Sequence, residues 1–392
     1  MACTNTGLLQ RKRQVLGKLE TTETPCGTFE TPDAVDGKLR VQVAPSITPD
    51  VTLNERGIAS SSLSQFKDII GELTATATFS SELAGSGAVG TEPECSAYLQ
   101  ACGMEKLTLS SASIGAVTSG PFIAGEIVDD GSGNEAMVLP AEDGDSTIYF
   151  AITTGTIEDA DTLTGQTSGA SVTLSSAPAA AGFLYRPTSS VFNAISLQHE
   201  EDGYVKKLKG CMGTFTISAE SSMKGMIEFE FNGSIESFGD GAFTPGITYN
   251  DTVPPILQSA EVAFDDGTAG EYSPVLTSVS LDIGNEVVLR KDANASTGIK
   301  SAMITARAPS ASFDPEMTLA TNYDFFDKYF NGTPISLQFK LPGTVGNTIE
   351  VYAARGQIAG AGDGERDGIT TLDLSMNLKR IVGDDECIIV FK

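Results

Sequence analysis

The chain has 392 residues, 51 acidic against 25 basic, for a formal net charge of −26, with 40% apolar residues and 41 glycines. So acidic a balance excludes attachment to nucleic acid through its phosphates, which requires clustered Lys and Arg to displace counterions. The lack of any apolar run of about 18 residues excludes a membrane-spanning helix.

Residues 1–35 are polar, carry an Arg11, Lys12, Arg13 cluster without an apolar stretch after it, and show no period. They read as an arm that orders against a neighbour, not as a signal peptide. The alternating stretch 38–52 predicts a strand ended by prolines. A polar loop, 54–65, precedes a second strand at Glu72 to Ser80, where Leu73, Ala75, Ala77 and Phe79 alternate with polar neighbours. Gly85, Gly87 and Gly90 spell GxGxxG, but no buried parallel strand with a terminal acid follows, so a loop is expected there and not a phosphate cradle. Pro93 to Cys102 has the 3.6-residue period of a short helix.

Residues 119–182 have no counterpart in the second half of the chain. No Lys or Arg falls between Lys106 and Arg186, while the segment holds ten acids: Glu126, Asp129, Asp130, Glu135, Glu142, Asp143, Asp145, Glu158, Asp159 and Asp161. Residues 124–139 echo 160–174, with Gly133 opposite Gly169, which predicts a small inserted β-domain. The acidic stretches 129–131 and 142–145 lack EF-hand spacing and read as turns, so no metal site is assigned. The only histidine, His199, stands beside Glu200 and Glu201 with no nucleophile signature nearby, and reads as a solvated strand-end residue. The six cysteines (Cys3, Cys26, Cys95, Cys102, Cys211, Cys387) form no CxxC pair and read as free thiols. Neither an enzyme nor a cofactor is expected.

The second half repeats the first. A strand at 286–290, a loop at 291–298 and a return strand at 299–307 precede a helix candidate at 323–330. The tetrapeptide Ile195-Ser196-Leu197-Gln198 recurs as Ile335-Ser336-Leu337-Gln338, displaced by 140 residues. Residues 213–231 superpose without a gap on 356–374, displaced by 143, so that Gly213 meets Gly356, Glu230 meets Asp373 and Phe231 meets Leu374. This is one β-rich module written twice. In the last strand of the first copy, Ile227, Phe229 and Phe231 would enter a core and leave Glu228 and Glu230 outside. A carboxylate-lined surface of this kind repels phosphates and lets a polyanion slide past.

The segments SLDIGNEVVLRKDANASTGIKSAMITARAPSASFDPEM (280–317), AYLQACGM (97–104) and LKGCMGTFTISAESSMKGMIEFEFNGSIESF (208–238), in this order of elements, resemble the tail tube (major tail) proteins of long-tailed bacteriophages. The resemblance implies a mainly β fold, with two duplicated sandwich or barrel tube domains, each with a short helix, plus the inserted β-domain. The expected division is an arm at 1–35, a first tube domain at 36–118 and 183–248, the insert at 119–182 and a second tube domain at 249–392. It also implies stacked rings, here homotrimers with six tube domains or else homohexamers, which meet other tail proteins at the tube ends and conduct double-stranded DNA without binding it. On this reading Glu72, Glu228, Glu230 and Asp373 face the lumen, and Arg11, Lys12, Arg13, Arg56, Arg290 and Lys291 join successive rings. The insert points outward, which argues for a non-contractile tail of a virion whose parts are made in the host cytoplasm. A carbohydrate- or receptor-binding protein of the tail tip is the alternative, weakened by the absence of Trp.

Overall fold

The computed structural model describes the chain except residues 1–7, 10, 21–25, 36, 43–44 and 266–270. The protein is mainly β with two short helices, α1 (Ser96–Ala101) and α2 (Phe325–Asn331). Both were expected within a few residues. The α2 helix opens on Asp324, whose side chain accepts from the Asp327 amide, and closes on left-handed Gly332, the usual chemistry of a helix start and stop. Part of the predicted arm is a strand in its own right: Arg13–Leu19 pairs along its whole length with Ile195–Glu201.

One strand order occurs twice. In the first half Arg13–Leu19, Ile195–Glu201, Tyr204–Glu220, Met226–Asp240, Ile69–Glu82 and Ser46–Asn54 lie side by side, all antiparallel. In the second half Ala263–Asp265, Ile335–Leu341, Ile349–Arg366, Ile369–Leu378, Ser310–Phe313 and Ser278–Asp282 follow the same order. The halves join where Thr216 to Glu220 pairs with Asp282 to Ser278. Eight strands thus form one open sheet, running from Ser46–Asn54 to Ile349–Arg366.

The pairing corrects the sequence superposition. Ile195 opposes Cys211 and Ile335 opposes Gly356, with the same register shift following in each copy. Cys211 is therefore the equivalent of Gly356, a displacement of 145. The same displacement places Phe229 on Leu374 and Phe231 on Met376, each pair facing the matching strand, with Phe79 and Phe313 as common neighbours of Phe229 and Leu374. An ungapped comparison misses this because a shift of two leaves the alternation of a strand unchanged. The second hairpin absorbs the difference with a bulge between Ile358 and Gly360 and two more residue pairs before its tight turn at Asp367 and Gly368.

The inner face of the sheet is apolar. Phe79, Phe229 and Phe231 gather around Tyr98 of α1, with ring centroids 5.7 to 6.2 Å from it, and Phe264, Phe313, Phe325 and Tyr323 form the counterpart by α2. A second layer covers this core: Met104–Ser113, Ala179–Pro187 and the terminal strand Ile388–Phe391, paired in that order. Its side chains alternate between two cores. Phe183, Tyr185, Ile389 and Phe391 enter the main core, while Leu184, Ile388 and Val390 meet Met137, Leu139 and Ala151 of the insert.

The insert contains two hairpins, 127–138 and 162–173, turning at positive-φ Gly133 and Gly169 as their echo predicts, and the strand Thr147–Thr154, which pairs with Glu135–Val138 and with Met104–Ser113. Its own core includes Val128, Phe150, Leu163 and Val172. Glu126, buried, ties the hairpins together by accepting from the Ile123, Thr167 and Ser168 amides and from the Ser168 hydroxyl.

Candidate functional site

The solvent face of the eight-stranded sheet combines the two features expected of a functional surface here, a single chemistry and a large extent. With Ile227, Phe229 and Phe231 turned inward, Glu228 and Glu230 stand exposed. A row of side chains crosses seven strands through successive pairings: Ser80, Glu228, Thr216, Asp282, Ser310, Asn377 and Gln357. Beside it, Thr78, Glu230 and Thr214 form a second row. Asp373 is exposed on the same face of Ile369–Leu378. The central stretches of the eight strands (46–54, 69–82, 213–220, 226–240, 278–282, 310–313, 357–365 and 369–378) contain no lysine or arginine; Lys206, Lys207, Lys209, Arg355 and Arg366 lie in the same strands outside those stretches. The charged groups of these stretches are all carboxylates, set among hydroxyls and amides, with Met226 and Ile369, next to the turn, as apolar members of the same face.

Basic residues sit at its margins and are held by carboxylates there. Lys291 meets Glu72 at 2.7 Å, and Arg366 meets Asp314 and Glu316 at 3.0 Å each. Lys224 meets Glu82 at 2.5 Å. Burial works against the Asp314 carboxylate, but bonds from Thr277 and Ser278 outweigh it and hold that group below the usual carboxylate range.

Of the residues singled out in the sequence, Glu228, Glu230 and Asp373 share this face. Glu72 lies at its edge, joined to Lys291, so the structure brings together a residue expected in the lumen and one expected between rings. Arg11, Arg56 and Arg290 are exposed, with the Arg56 guanidinium 5.6 Å from the Phe66 ring centroid. Lys12 pairs with Asp202 at 3.1 Å and Arg13 with Glu201, so both anchor the first strand to the chain's own sheet. Sequence reasoning missed Asp282, Thr216 and Ser310 in the long row. The alternation of Ser278–Asp282 could have found them, had that strand been placed beside the first half.

The remaining candidates are structural. The amides of Gly85 and Gly87 donate to Asn347 Oδ1 at 2.7 Å and to the Gly346 carbonyl at 3.0 Å, so the GxGxxG loop is a contact between halves. Asp130 accepts from the Ser132 and Asn134 amides, and Asp145 from the Glu142 amide, as turn residues do. No group of three metal-ligating side chains occurs among the described residues. His199 is not solvated: it is 2% exposed, and burial, with Lys206 and Arg13 adding repulsion, pushes its pKa down to about 4. Cys95, Cys102, Cys211 and Cys387 are free and buried, which raises their thiol pKa values, to about 12 for Cys95 and Cys387. Cys3 lies outside the described residues.

No curated protein matches the chain. Comparison with protein families matches residues 10–378 to the family described as phage tail tube protein.

Proposed function

Because the chain belongs to the phage tail tube protein family, and so has a structural role in a tail tube, we propose that its copies form rings that stack around an acidic lumen conducting double-stranded DNA. The observation that carries this reading is the base-free face of the eight-stranded sheet. Duplex DNA presents one negative charge per about 1.7 Å of axis, and each Lys or Arg on the wall would hold a phosphate and release counterions. A wall of carboxylates and hydroxyls offers no such contact. DNA passes it without a favourable well at any position, which suits conduction and not storage.

The two ends of the sheet support assembly. The outer edge of Ser46–Asn54, and the edge of residues 357–366 that faces away from Ile369–Leu378, have no strand partner among the described residues. Free edges of this length are aggregation sites unless another strand covers them, and a closed ring covers all of them. Two different edges meeting head to tail generate a ring when the rotation closes. With the module present twice, a homotrimer supplies six tube domains (36–118 with 183–248, and 249–392), and a homohexamer is the alternative closure. The insert supports an outward position, since the main core and the second layer stand between it and the acidic face. An exterior so decorated fits a non-contractile tail.

Negative-stain electron microscopy of concentrated protein, viewed down the axis, tests this reading. Rings with a central hole and three outer protrusions are expected. Six protrusions would replace the trimer by the hexamer, and monomers at every concentration would remove the tube reading.

A further inference from the structure

The duplication lets one interface inside the chain serve as a template for an interface the single chain leaves open. In the second half, Asn285–Lys291 and Ile299–Arg307 form a hairpin that continues the sheet strands 278–282 and 310–313 and bends over the first half. At its root, Val287 and Ile304 pack with Ala194 and Met212 of the first half. Ile304 is 6% exposed, Met212 4% and Ala194 1%.

The first half carries the same hairpin root. Phe79 and Phe313 are equivalent through their partners Phe229 and Leu374, and that displacement of 234 puts Leu53 on Val287 and Ile70 on Ile304. Leu53 opposes Ile70 just as Val287 opposes Ile304, directly after a register shift in each case. Yet Leu53 is 59% and Ile70 62% exposed. The seat is repeated as well. Met212 corresponds to Gln357 and Ala194 to Pro334, both exposed; a side chain at Gly332, the residue that closes α2, would come within 3.0 Å of Gln357 Nε2, and Phe330, two residues earlier, is 76% exposed. One chain therefore holds one filled joint, one unused root and one unused seat.

We infer that the Leu53 and Ile70 root of one copy docks on the Phe330, Pro334 and Gln357 seat of the next copy, repeating between chains the joint already made within one. The occupant is a second copy because the filled joint is made from the same two modules, and because root and seat lie at opposite ends of one sheet. The adjoining strand edges follow the same template. Thr216 opposes Asp282 inside the chain, and their equivalents, Gly362 and Thr48, come opposite each other between chains. The hairpin tips differ: Arg355 stands where Gly210 lets the Ser301 backbone approach, so the inference is confined to the root and the strand edge. It rests on the ring-forming reading above and gives that reading its contact residues.

The test uses two full-length variants, Ile70→Asp, which disables the root, and Phe330→Asp, which disables the seat. Both positions are exposed in the single chain, so each variant should melt as the wild-type monomer does. Each alone is expected to raise the concentration needed for ring formation at least about 100-fold, because a carboxylate would have to be buried against apolar surface. Mixed together they retain one competent root and one competent seat, so sedimentation should show one-to-one dimers and no rings. Variants that form rings like the wild type, or a mixture that stays monomeric, would overturn the assigned joint while wild-type rings leave the tube reading intact. Failure of the wild type to form rings would instead remove the tube reading and the joint with it.

Discussion

Between pH 6.5 and about 4 the His199 imidazole works against the fold. Its strand, Ile195–Glu201, has neighbours on both sides, and neither ring nitrogen has a hydrogen-bond partner among the described residues. The pKa is lowered from 6.5 to about 4, by burial first and then by Lys206 and Arg13 against the opposing pull of Glu201 and Glu200. Well above pH 6.5 the ring is neutral whether folded or not, so only the pH-independent cost of burying its two unpartnered nitrogens remains. As pH falls below 6.5 the unfolded chain takes up the proton first, so stability drains away until the folded pKa is reached, by about 3 kcal/mol in all. His199→Leu should match or exceed wild type at pH 7 and lose about 3 kcal/mol less on acidification to pH 4, read from urea melts of the two proteins. Equal losses would mean that the imidazole is hydrated in solution. The sequence hid this burial for a local reason. His199 stands among Glu200, Glu201 and a turn, and only the pairing of Arg13–Leu19, which read as part of an arm, encloses it.

At the scale of elements, alternation and turn chemistry carried most of the fold. The strand at 299–307, the helices and the paired hairpins of the insert all follow from period and glycine placement. Register did not follow, because a two-residue slip keeps every apolar residue inward and no single-strand pattern detects it. The layering was equally hidden: Phe183 and Leu184 look alike in sequence, and only the presence of cores on both sides of Ala179–Pro187 separates their roles. That layering predicts what removing the insert does. Ser111 opposes Ala179, so a short turn can replace residues 114–178 and leave a plain hairpin. The shortened chain should still form rings, since neither sheet edge is touched. It should also aggregate, because Leu109, Leu184, Ile388 and Val390 lose their cover and merge into one exposed apolar patch. Adding Leu184→Thr and Val390→Thr should restore solubility in sedimentation while rings persist in the microscope. A soluble shortened chain unable to form rings would show that the insert takes part in assembly.

For the whole molecule the decisive quantity is where charge lies, not how much there is. The net charge of −26 already keeps DNA away from the exterior in bulk, so an acidic lumen is tested only by changing the sheet face against a control elsewhere. Glu228 and Glu230 are exposed, make no ion pair among the described residues, and can be replaced without disturbing the inward Phe229 and Phe231. Glu228→Lys with Glu230→Lys reverses two charges per chain on the proposed wall. Glu142→Lys with Asp143→Lys makes the same reversal on an exposed turn of the insert. Both pairs should assemble into tubes, and both shift the overall charge equally. If the sheet face lines the lumen, only the first pair slows DNA release from particles carrying it, and that delay shortens as salt rises, because each new phosphate contact exchanges for counterions with a slope near −0.9 per contact. The insert pair should leave release at the wild-type rate. Equal effects from the two pairs, or none from the first, would mean that this face does not meet the DNA.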